Sequence, residues 1–474
     1  MASISSLGGS RPFPKVVFQS YHNDSGQSCM GELVMCSWLL ALVTLAAHDP
    51  SAERGYQLLV SQAYAPGQFP RTVIDNAWKR WGLSERPPDY WGAFRSRYGL
   101  PESPFPNNGL PMGLRSSPMP IGGAGACLDC LTCHGGSLMG RPIIGLGNTS
   151  LDLQAIFEEL SGRFVDKVKP PYTMCNTRGT NEAGATSVFL AGFRDKDLNV
   201  AIAWRNLGLD DSMCEDVPAW WLLKRKRWMY ATGEADSRSV RSIMQFMMHP
   251  LNGPGRFEKE ESHFADIREF ILSIKPPVFP GKIDPTKAEA GKLLFDANCL
   301  RCHGGPGAES PYPGKIIDLG TIGTDRTRHA GISGEFGEFY NSSWFSREIP
   351  LGTNQQLKAR KTAGYQAPPL DGIWATAPYL HNGSVPTIWH LMRSKERPKR
   401  FTRSFSTDSD AYDWGKLGWK TREVEASATR DAPPIERRKV YDTSLKGRGN
   451  GGHEFGDHLS DSEVSQLIEY LKTF

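Results

Sequence analysis

Apolar residues at the spacing of one helix face stand out near the end of the sequence. In Val464–Leu471 they recur three and four positions apart, which is the pattern of an amphipathic helix. Ser460 and Glu463 form the S-x-x-E sequence of a capping box, in which two side chains satisfy backbone amides at the helix start. The pattern therefore predicts a helix that begins after Ser460 and buries one face.

Weaker helical patterns occur at three other places, and a proline-rich segment follows the last of them. We predict helices over residues 73–81, 151–162 and 263–274. Residues 275–285 contain four prolines, which the interior of a helix does not tolerate, so we place a domain boundary there. Asp284 and Pro285 fit the N-cap and first position of a further helix that runs through Phe295.

The longest apolar run, Leu33–Ala47, is about 15 residues long. It is short for a membrane span and has the length of the apolar core of a signal peptide. The residues before it carry no net positive charge, which is atypical of a signal peptide. A buried core helix and an uncleaved N-terminal anchor stay open as alternatives. We predict that residues 1–50 are a targeting segment and that the processed protein has no stable membrane span.

The composition is that of an ordinary globular protein. The 474 residues include 39% hydrophobic and 22% charged residues, and this length allows two or three domains. With 55 Lys and Arg against 51 Asp and Glu, the net charge is only +4, so the chain lacks the basic excess of a nucleic-acid-binding protein. The 49 glycines and 34 prolines indicate long ordered loops.

A short cysteine motif occurs twice. Residues 130–134 read Cys-Leu-Thr-Cys-His, residues 299–303 read Cys-Leu-Arg-Cys-His, and Gly-Gly follows each. Two cysteines three positions apart lie on one side of a helical turn and can form thioethers to one porphyrin, while the following histidine binds the iron. The candidate cofactor-binding residues are Cys130, Cys133, Cys299 and Cys302, and the candidate iron ligands are His134 and His303.

Two alternatives to haem c use the same residue types. Four cysteines can form a zinc ribbon, but these two pairs are much farther apart than ribbon spacing allows. A thiol redox pair is the other alternative. Neither explains a histidine directly after each pair. The sequence therefore predicts two covalently bound haem c groups, each with its iron.

The second motif has a helix before it that supports this interpretation. Gly291 and Phe295 complete the pattern G-x3-F-x3-C-x2-C-H, which resembles the N-terminal helix of class I cytochrome c domains. In that family the glycine lets the last helix cross closely and an aromatic residue packs at the crossing, a role for which Tyr470 is the candidate. The first motif lacks such a preceding helix, so we expect its domain to be more divergent. We expect an N-terminal haem domain over residues 51–275 and a C-terminal cytochrome c domain over residues 276–474.

Cys127, Cys175 and Cys214 lie outside the two motifs. Cys127 and Cys130 offer a rival Cys-x-x-Cys pair, but no histidine follows it. A Cys175–Cys214 disulfide is one expectation for an exported protein, and three buried free thiols are the other.

The segment Ala367–Ser384, APPLDGIWATAPYLHNGS, resembles the di-haem relatives of cytochrome c peroxidase, a superfamily that includes the MauG-type enzymes. Within these it is most similar to the rubber-oxygenase-like branch. Gly452–Gly456 and Gly109–Leu114 fit the same group, and the resemblance covers roughly residues 55–474. It implies a mainly α fold with two cytochrome-c-like haem domains, long ordered loops and little β structure.

The resemblance also implies distal ligands. In this group a histidine shortly before the terminal helix binds the second haem, which here is His453, with His458 as the next candidate. The competing interpretation of His453 is a surface loop residue. His381 sits where relatives keep a histidine that lines the second haem without necessarily binding its iron, and His390 is left unassigned. The first haem is open to dioxygen in the oxygenases, although His249, His263 or one of several methionines could close it here.

Trp220 and Trp221 lie in a segment that resembles the aromatic pocket wall or inter-haem segment of these relatives. They are the candidate catalytic residues, with ordinary packing as the alternative. The basic run Lys224–Arg227 that follows is typical of a solvated face, and it could also balance haem propionates or bind an acidic redox partner.

The resulting functional prediction is an exported, periplasmic di-haem oxidoreductase. The first haem would activate peroxide or dioxygen and the second would relay or store electrons. We expect a small redox protein as electron donor or acceptor, a peroxide, dioxygen or small organic substrate, and no nucleic acid. Two alternatives remain: an electron-transfer cytochrome with both irons six-coordinate, and a haem module that senses or binds small ligands.

Overall fold

The computed structural model describes residues 49–161, 172–201 and 203–474. The predicted targeting segment and its apolar run lie outside the described residues, apart from residues 49 and 50. In the part of the chain that is described, no helix is long and apolar enough to cross a membrane.

Helices dominate the secondary structure, with about 37% helix and 11% strand, in agreement with the predicted mainly α class. The α-helices of the described residues are Pro50–Ser61 (α1), Arg71–Asp75 (α2), Tyr90–Tyr98 (α3), Leu131–His134 (α4), Leu153–Leu160 (α5), Ala183–Ala191 (α6), Val240–Ile243 (α7), Pro254–Ser273 (α8), Pro285–Asn298 (α9), Leu300–His303 (α10), Leu319–Ile322 (α11), Thr327–Ala330 (α12), Gly334–Ser342 (α13), Ile388–Met392 (α14), Pro434–Arg437 (α15) and Asp461–Leu471 (α16). Short 3₁₀ helices occupy Ala77–Arg80, Trp220–Arg225, Met244–Met247, Trp344–Arg347, Ile373–Ala375, Ser394–Glu396 and Ser409–Ala411.

The strands are two to four residues long and pair only antiparallel within the described residues. They are Phe69–Pro70 (β1), Leu114–Ser116 (β2), Gly125–Leu128 (β3), Gly135–Leu138 (β4), Arg141–Ile144 (β5), Trp228–Met229 (β6), Ala235–Asp236 (β7), Ile316–Asp318 (β8), Gly364–Gln366 (β9), Arg400–Thr402 (β10), Tyr412–Asp413 (β11), Gly418–Trp419 (β12), Arg422–Glu423 (β13) and Tyr441–Asp442 (β14). Two sheets have three strands, in the orders β1-β3-β2 and β13-β10-β14, and four further pairs are β4-β5, β6-β7, β8-β9 and β11-β12.

The predicted crossing of α9 and α16 is confirmed. A Cβ atom added to Gly291 would overlap the backbone carbonyl of Gln466, so the two helices approach as closely as only glycine permits. Phe295 packs against Tyr470 at this crossing, with ring centroids 5.4 Å apart. Both predicted caps are also present, since Asp284 accepts from the first amides of α9 and Ser460 forms the capping box of α16.

The same helix crossing occurs a second time, between α1 and α8. A Cβ atom on Gly55 would overlap the backbone carbonyl of Asp266, and Tyr56 packs against Phe270 with ring centroids 5.3 Å apart. Like α9, α1 opens on Asp-Pro and carries Ala-Glu-x-Gly before the crossing. The expectation that the first motif lacks the preceding helix is therefore wrong. The helix exists, but residues 62–129 separate it from the motif.

Two predicted helices differ in extent. Residues 73–81 divide at Asn76 into the end of α2 and a 3₁₀ turn. The helix predicted from residue 263 begins at Pro254. The prediction missed its first half because that half is charged and buries too few side chains to show an apolar period. The helix predicted over 151–162 is α5, capped by Asp152.

The hydrophobic core of the described residues forms three clusters, and all three combine residues from both sides of residue 275. One packs Leu59 of α1 and Ile267 of α8 with Phe345. Another packs Leu138 and Trp221 with residues of α16. The domain boundary at residue 275 stays a prediction, but side-chain packing continues across it.

Among the described residues, the three cysteines outside the motifs are free. Cys127, Cys175 and Cys214 are buried thiols, so the expectation of buried thiols is confirmed and the expected Cys175–Cys214 disulfide is absent.

Candidate functional site

The second CxxCH turn, residues 299–303, continues directly from α9. The Cys299 amide donates to the Phe295 carbonyl at 2.8 Å and the His303 amide to the Cys299 carbonyl at 3.1 Å, so the helical path carries on through the motif. This path places the two cysteines on one side of the turn. Both thiols have intermediate exposure, and they could attach a haem, which would supply redox chemistry at this turn.

The His303 ring is held by a backbone carbonyl. Its Nδ1 lies 2.7 Å from the Pro368 oxygen, and since a carbonyl only accepts, Nδ1 carries the proton. Burial lowers the pKa of His303, with the Pro368 carbonyl opposing part of that shift. In a neutral imidazole with Nδ1 protonated, Nε2 keeps a free electron pair. This tautomer is the one that binds a metal through Nε2.

His453 faces His303. Their ring centroids are 6.2 Å apart, with 56° between the ring planes. Since a metal–nitrogen bond is about 2 Å and the nitrogen is about 1 Å from the ring centre, two imidazoles on one metal have centroids roughly 6 Å apart. The observed spacing therefore admits one iron between the rings. Burial, and secondly His303, lower the pKa of His453 to about 4, so this ring is also neutral at pH 7.

The loop that carries His453 is packed closely on α11. The His453 amide donates to the Ile322 carbonyl at 2.7 Å, and a Cβ atom on Gly452 would overlap the Gly323 backbone. His453 itself adopts a left-handed conformation with a φ of 51°, which is unfavourable for a residue with a side chain. A residue is held in this conformation only when its surroundings impose it.

Arg397 supplies much of that constraint. Its guanidinium donates to three carbonyls of the His453 loop, those of Asn450 at 2.6 Å, Gly452 at 2.7 Å and His453 at 3.3 Å. It also donates to the carbonyls of His390 and Leu391, both at 3.0 Å. The side chain is buried and fixes the loop through its backbone.

Three other histidines have different surroundings. His458 is exposed. His381 stacks on Tyr365 with ring centroids 4.0 Å apart, its Nε2 has no hydrogen-bond partner among the described residues, and burial lowers its pKa to about 3. Nδ1 of His390 bonds the Thr387 hydroxyl at 2.8 Å.

The first CxxCH turn, residues 130–134, is α4 with its cap. The His134 amide donates to the Cys130 carbonyl at 2.9 Å, and Asp129 accepts from the Leu131 amide at 2.8 Å. Burial lowers the pKa of His134 to about 4, opposed in part by the carbonyl of Pro218. The Pro368 carbonyl forms a hydrogen bond with His303, whereas Nδ1 of His134 has no hydrogen-bond partner among the described residues.

Trp220 contacts the first CxxCH turn, and Trp221 contacts a residue near Pro368. The Trp220 indole stacks on the His134 ring, with centroids 4.8 Å apart and 23° between the planes. Trp221 donates its indole N–H to the Asp371 carbonyl at 2.8 Å, three residues after Pro368. The sequence prediction that these residues form an inter-haem segment stays a prediction.

The basic run after the two tryptophans is not a uniform solvated face. Arg225 is 8% exposed and pairs with the Asp371 carboxylate at 2.6 Å. It also donates to the Gly305 carbonyl, directly after the second CxxCH turn, at 2.9 Å. Burial lowers the pKa of Lys226 to about 8, whereas Lys224 is exposed.

Residues 364–402 match the family described as RoxA-like, cytochrome c-like. This segment is similar to the cytochrome c-like domain of RoxA-like proteins. A cytochrome c domain binds haem c covalently, and its role is haem-based oxidoreduction or electron transfer. The matched residues include Pro368, which holds His303, and Arg397, which holds the His453 loop.

Two relatives from Sinorhizobium fredii (strain NBRC 101917 / NGR234) resemble this chain. The uncharacterized protein y4iM is 30% identical over 243 residues, covering 44% of this chain and 53% of the relative. The uncharacterized protein y4iJ is 30% identical over 264 residues, covering 43% of this chain and 42% of the relative. The aligned part thus spans about half or less of each protein.

The residues that hold the His303 ring and the His453 loop could not be predicted from a sequence motif. Arg397 donates only to backbone carbonyls, and such carbonyls leave no trace in the sequence. Pro368 lies within the family-like segment, which was its only signal. The unpartnered Nε2 of His381 and the spacing of His303 and His453 depend on the three-dimensional fold alone.

Proposed function

We propose that this chain is an exported di-haem c oxidoreductase related to the cytochrome c peroxidases. In this proposal the second haem is attached to Cys299 and Cys302, with His303 and His453 as its iron ligands. The first is attached to Cys130 and Cys133, with His134 as its proximal ligand. Haem supplies the redox chemistry, with peroxide or dioxygen activated at the first site and electrons relayed or stored at the second.

The facing pair of His303 and His453 is the single observation that carries the proposal. Two neutral, partly buried imidazoles at 6.2 Å fit a six-coordinate iron, which suits electron storage. His134, in contrast, contacts the Trp220 ring and, among the described residues, no second histidine ring. The two sites therefore differ, as a division between a reactive and a relaying iron requires.

The chain's own residues prepare both sites. The Pro368 carbonyl fixes the His303 tautomer and raises the basicity of Nε2. Trp220 and Trp221 provide a route from His134 to Asp371, which follows Pro368 by three residues. The route runs through the His134–Trp220 ring stack, the peptide bond between the two tryptophans and the hydrogen bond from Trp221 to Asp371. We propose this route for electron transfer between the sites, with a small redox protein as the external partner and a peroxide, dioxygen or small organic molecule as the substrate.

A second candidate is an electron-transfer cytochrome with both irons six-coordinate. The loop before α8 corresponds to the loop before α16 that carries His453, because α1 and α8 cross as α9 and α16 do. It contains Met244, Met247 and Met248, which are buried in the same cluster as Leu131 of the first CxxCH turn. A methionine from this loop would saturate the first iron.

The spectrum of the ferric protein separates the two candidates. We expect one high-spin and one low-spin iron by electron paramagnetic resonance, with the high-spin signal converted by cyanide. His453→Ala should make the second iron high-spin, whereas His458→Ala, at an exposed position, should not. Two low-spin irons that do not respond to cyanide or peroxide would reject the oxidoreductase proposal and favour electron transfer.

A further inference from the structure

The first CxxCH turn is not joined to its helix as the second one is. Cys299 follows Asn298 at the end of α9 without a break. In the first half, α1 ends at Ser61 and residues 62–129 intervene before Cys130. Chain continuity therefore cannot hold the first CxxCH turn against the helix that crosses α8.

Arg115 spans this gap. It lies on β2, opposite Cys127 of β3, and its side chain is only 4% exposed. One terminal nitrogen donates to the Asp129 carboxylate at 2.9 Å and to the Leu59 carbonyl at 3.4 Å. The other terminal nitrogen donates to the Val60 carbonyl. One buried guanidinium thus contacts the last turn of α1 and the residue before Cys130.

Asp129 passes this contact on to the first CxxCH turn. Its second carboxylate oxygen accepts from the Leu131 amide at 2.8 Å, which caps the turn. The turn is further tied to Gly113, whose carbonyl accepts from the Asp129 amide at 3.2 Å and from the Thr132 hydroxyl at 2.6 Å. A displacement of Asp129 would therefore displace the turn.

The electrostatics of this arrangement favour a fixed position. The last carbonyls of a helix lack amide partners and attract a cation, which Arg115 supplies to Leu59 and Val60. A planar guanidinium can satisfy carbonyls and a carboxylate together, which a lysine ammonium does with less geometric control. Asn107 orients the same group through its side-chain oxygen at 2.8 Å.

We propose that Arg115 is a positioning residue for haem attachment at the first CxxCH turn. Through Asp129 it holds Cys130–His134 on the end of α1, in place of the covalent continuity present at the second turn. It is required for the first haem and not for the second. This inference rests on the proposed function, because it assumes that residues 130–134 attach a haem.

The test expresses the full-length chain and counts the haems of the mature protein from its intact mass. We expect two haems in the wild type, only the second haem in Arg115→Met, and partial recovery of the first haem in Arg115→Lys. Arg438→Met is the matched control, since Arg438 also forms a buried ion pair, with Asp152 at 2.9 Å, and is 8% exposed. It should keep two haems.

Two haems in Arg115→Met, or an equal loss in Arg438→Met, would overturn the inference. If Arg115→Met does not accumulate, Asp129→Asn answers the same question, because it keeps the side-chain shape while weakening the bond to Arg115. We expect incomplete occupancy of the first haem in this variant, and full occupancy would again overturn the inference. A wild-type mass with fewer than two haems would instead reject the proposed function, so the two failures are distinguishable.

Discussion

Replacing Arg397 by methionine should loosen His453 without removing it. The guanidinium donates to three carbonyls of the loop, at Asn450, Gly452 and His453. At a net value of about 1 kcal/mol for each hydrogen bond, Arg397→Met costs about 3 kcal/mol of loop stability. Because 1.4 kcal/mol is a factor of ten, the population with an open loop should rise roughly 100-fold.

Cyanide binding measures this population directly. If His453 occupies the sixth position of the second iron, cyanide binds there only after the loop opens, and this binding is the slow phase of the reaction. The rate of the slow phase should rise roughly 100-fold in Arg397→Met. Arg393→Met is the control, because the side-chain bonds of Arg393 go to Asp461 and to the Met392 carbonyl. An unchanged slow phase in Arg397→Met, or the same acceleration in both variants, would refute the role given to Arg397.

Two further predictions concern stability. Gly55→Ala and Gly291→Ala should each destabilise the protein by about 2 kcal/mol or more, since the added methyl overlaps backbone at a helix crossing. Gly337→Ala in α13 is the control, because its added methyl meets no atom and should not destabilise the protein. Equal urea midpoints for all three variants would contradict the duplicated crossing. Burial lowers the pKa of His390 to about 4, so the unfolded chain binds a proton that the folded chain does not, and stability present above about pH 6.5 should decline as the pH falls toward 4. His390→Gln should flatten that decline in urea titrations at successive pH values, and an identical decline would show that other groups cause it.

The structure around the second CxxCH turn could be predicted well from the sequence because its signals are local. Gly291, Phe295 and the second CxxCH turn follow one another at helical spacing, and the capping box marks the crossing partner. The first half was harder to predict because residues 62–129 separate α1 from its motif. Gly55 then carries no visible relation to Cys130, although the structure places α1 and α8 as it places α9 and α16.

The residues that fix the candidate site were outside the reach of sequence reasoning for a different reason. Arg115 and Arg397 act mainly on backbone carbonyls, which every residue possesses, so no side-chain pattern marks their targets. Arg225 was grouped with a basic run that usually faces solvent, but it is buried against Asp371. Only the fold shows which arginines are internal.

The central claim is that the chain carries two covalent haems, one at each CxxCH turn. Intact mass spectrometry of the mature protein, made in cells that attach haem c, tests it most directly. The wild type should weigh its polypeptide plus two haems, and Cys130→Ala and Cys299→Ala should each weigh one haem less than the wild type, apart from the substitution itself. A wild-type mass with one haem or none would contradict the claim.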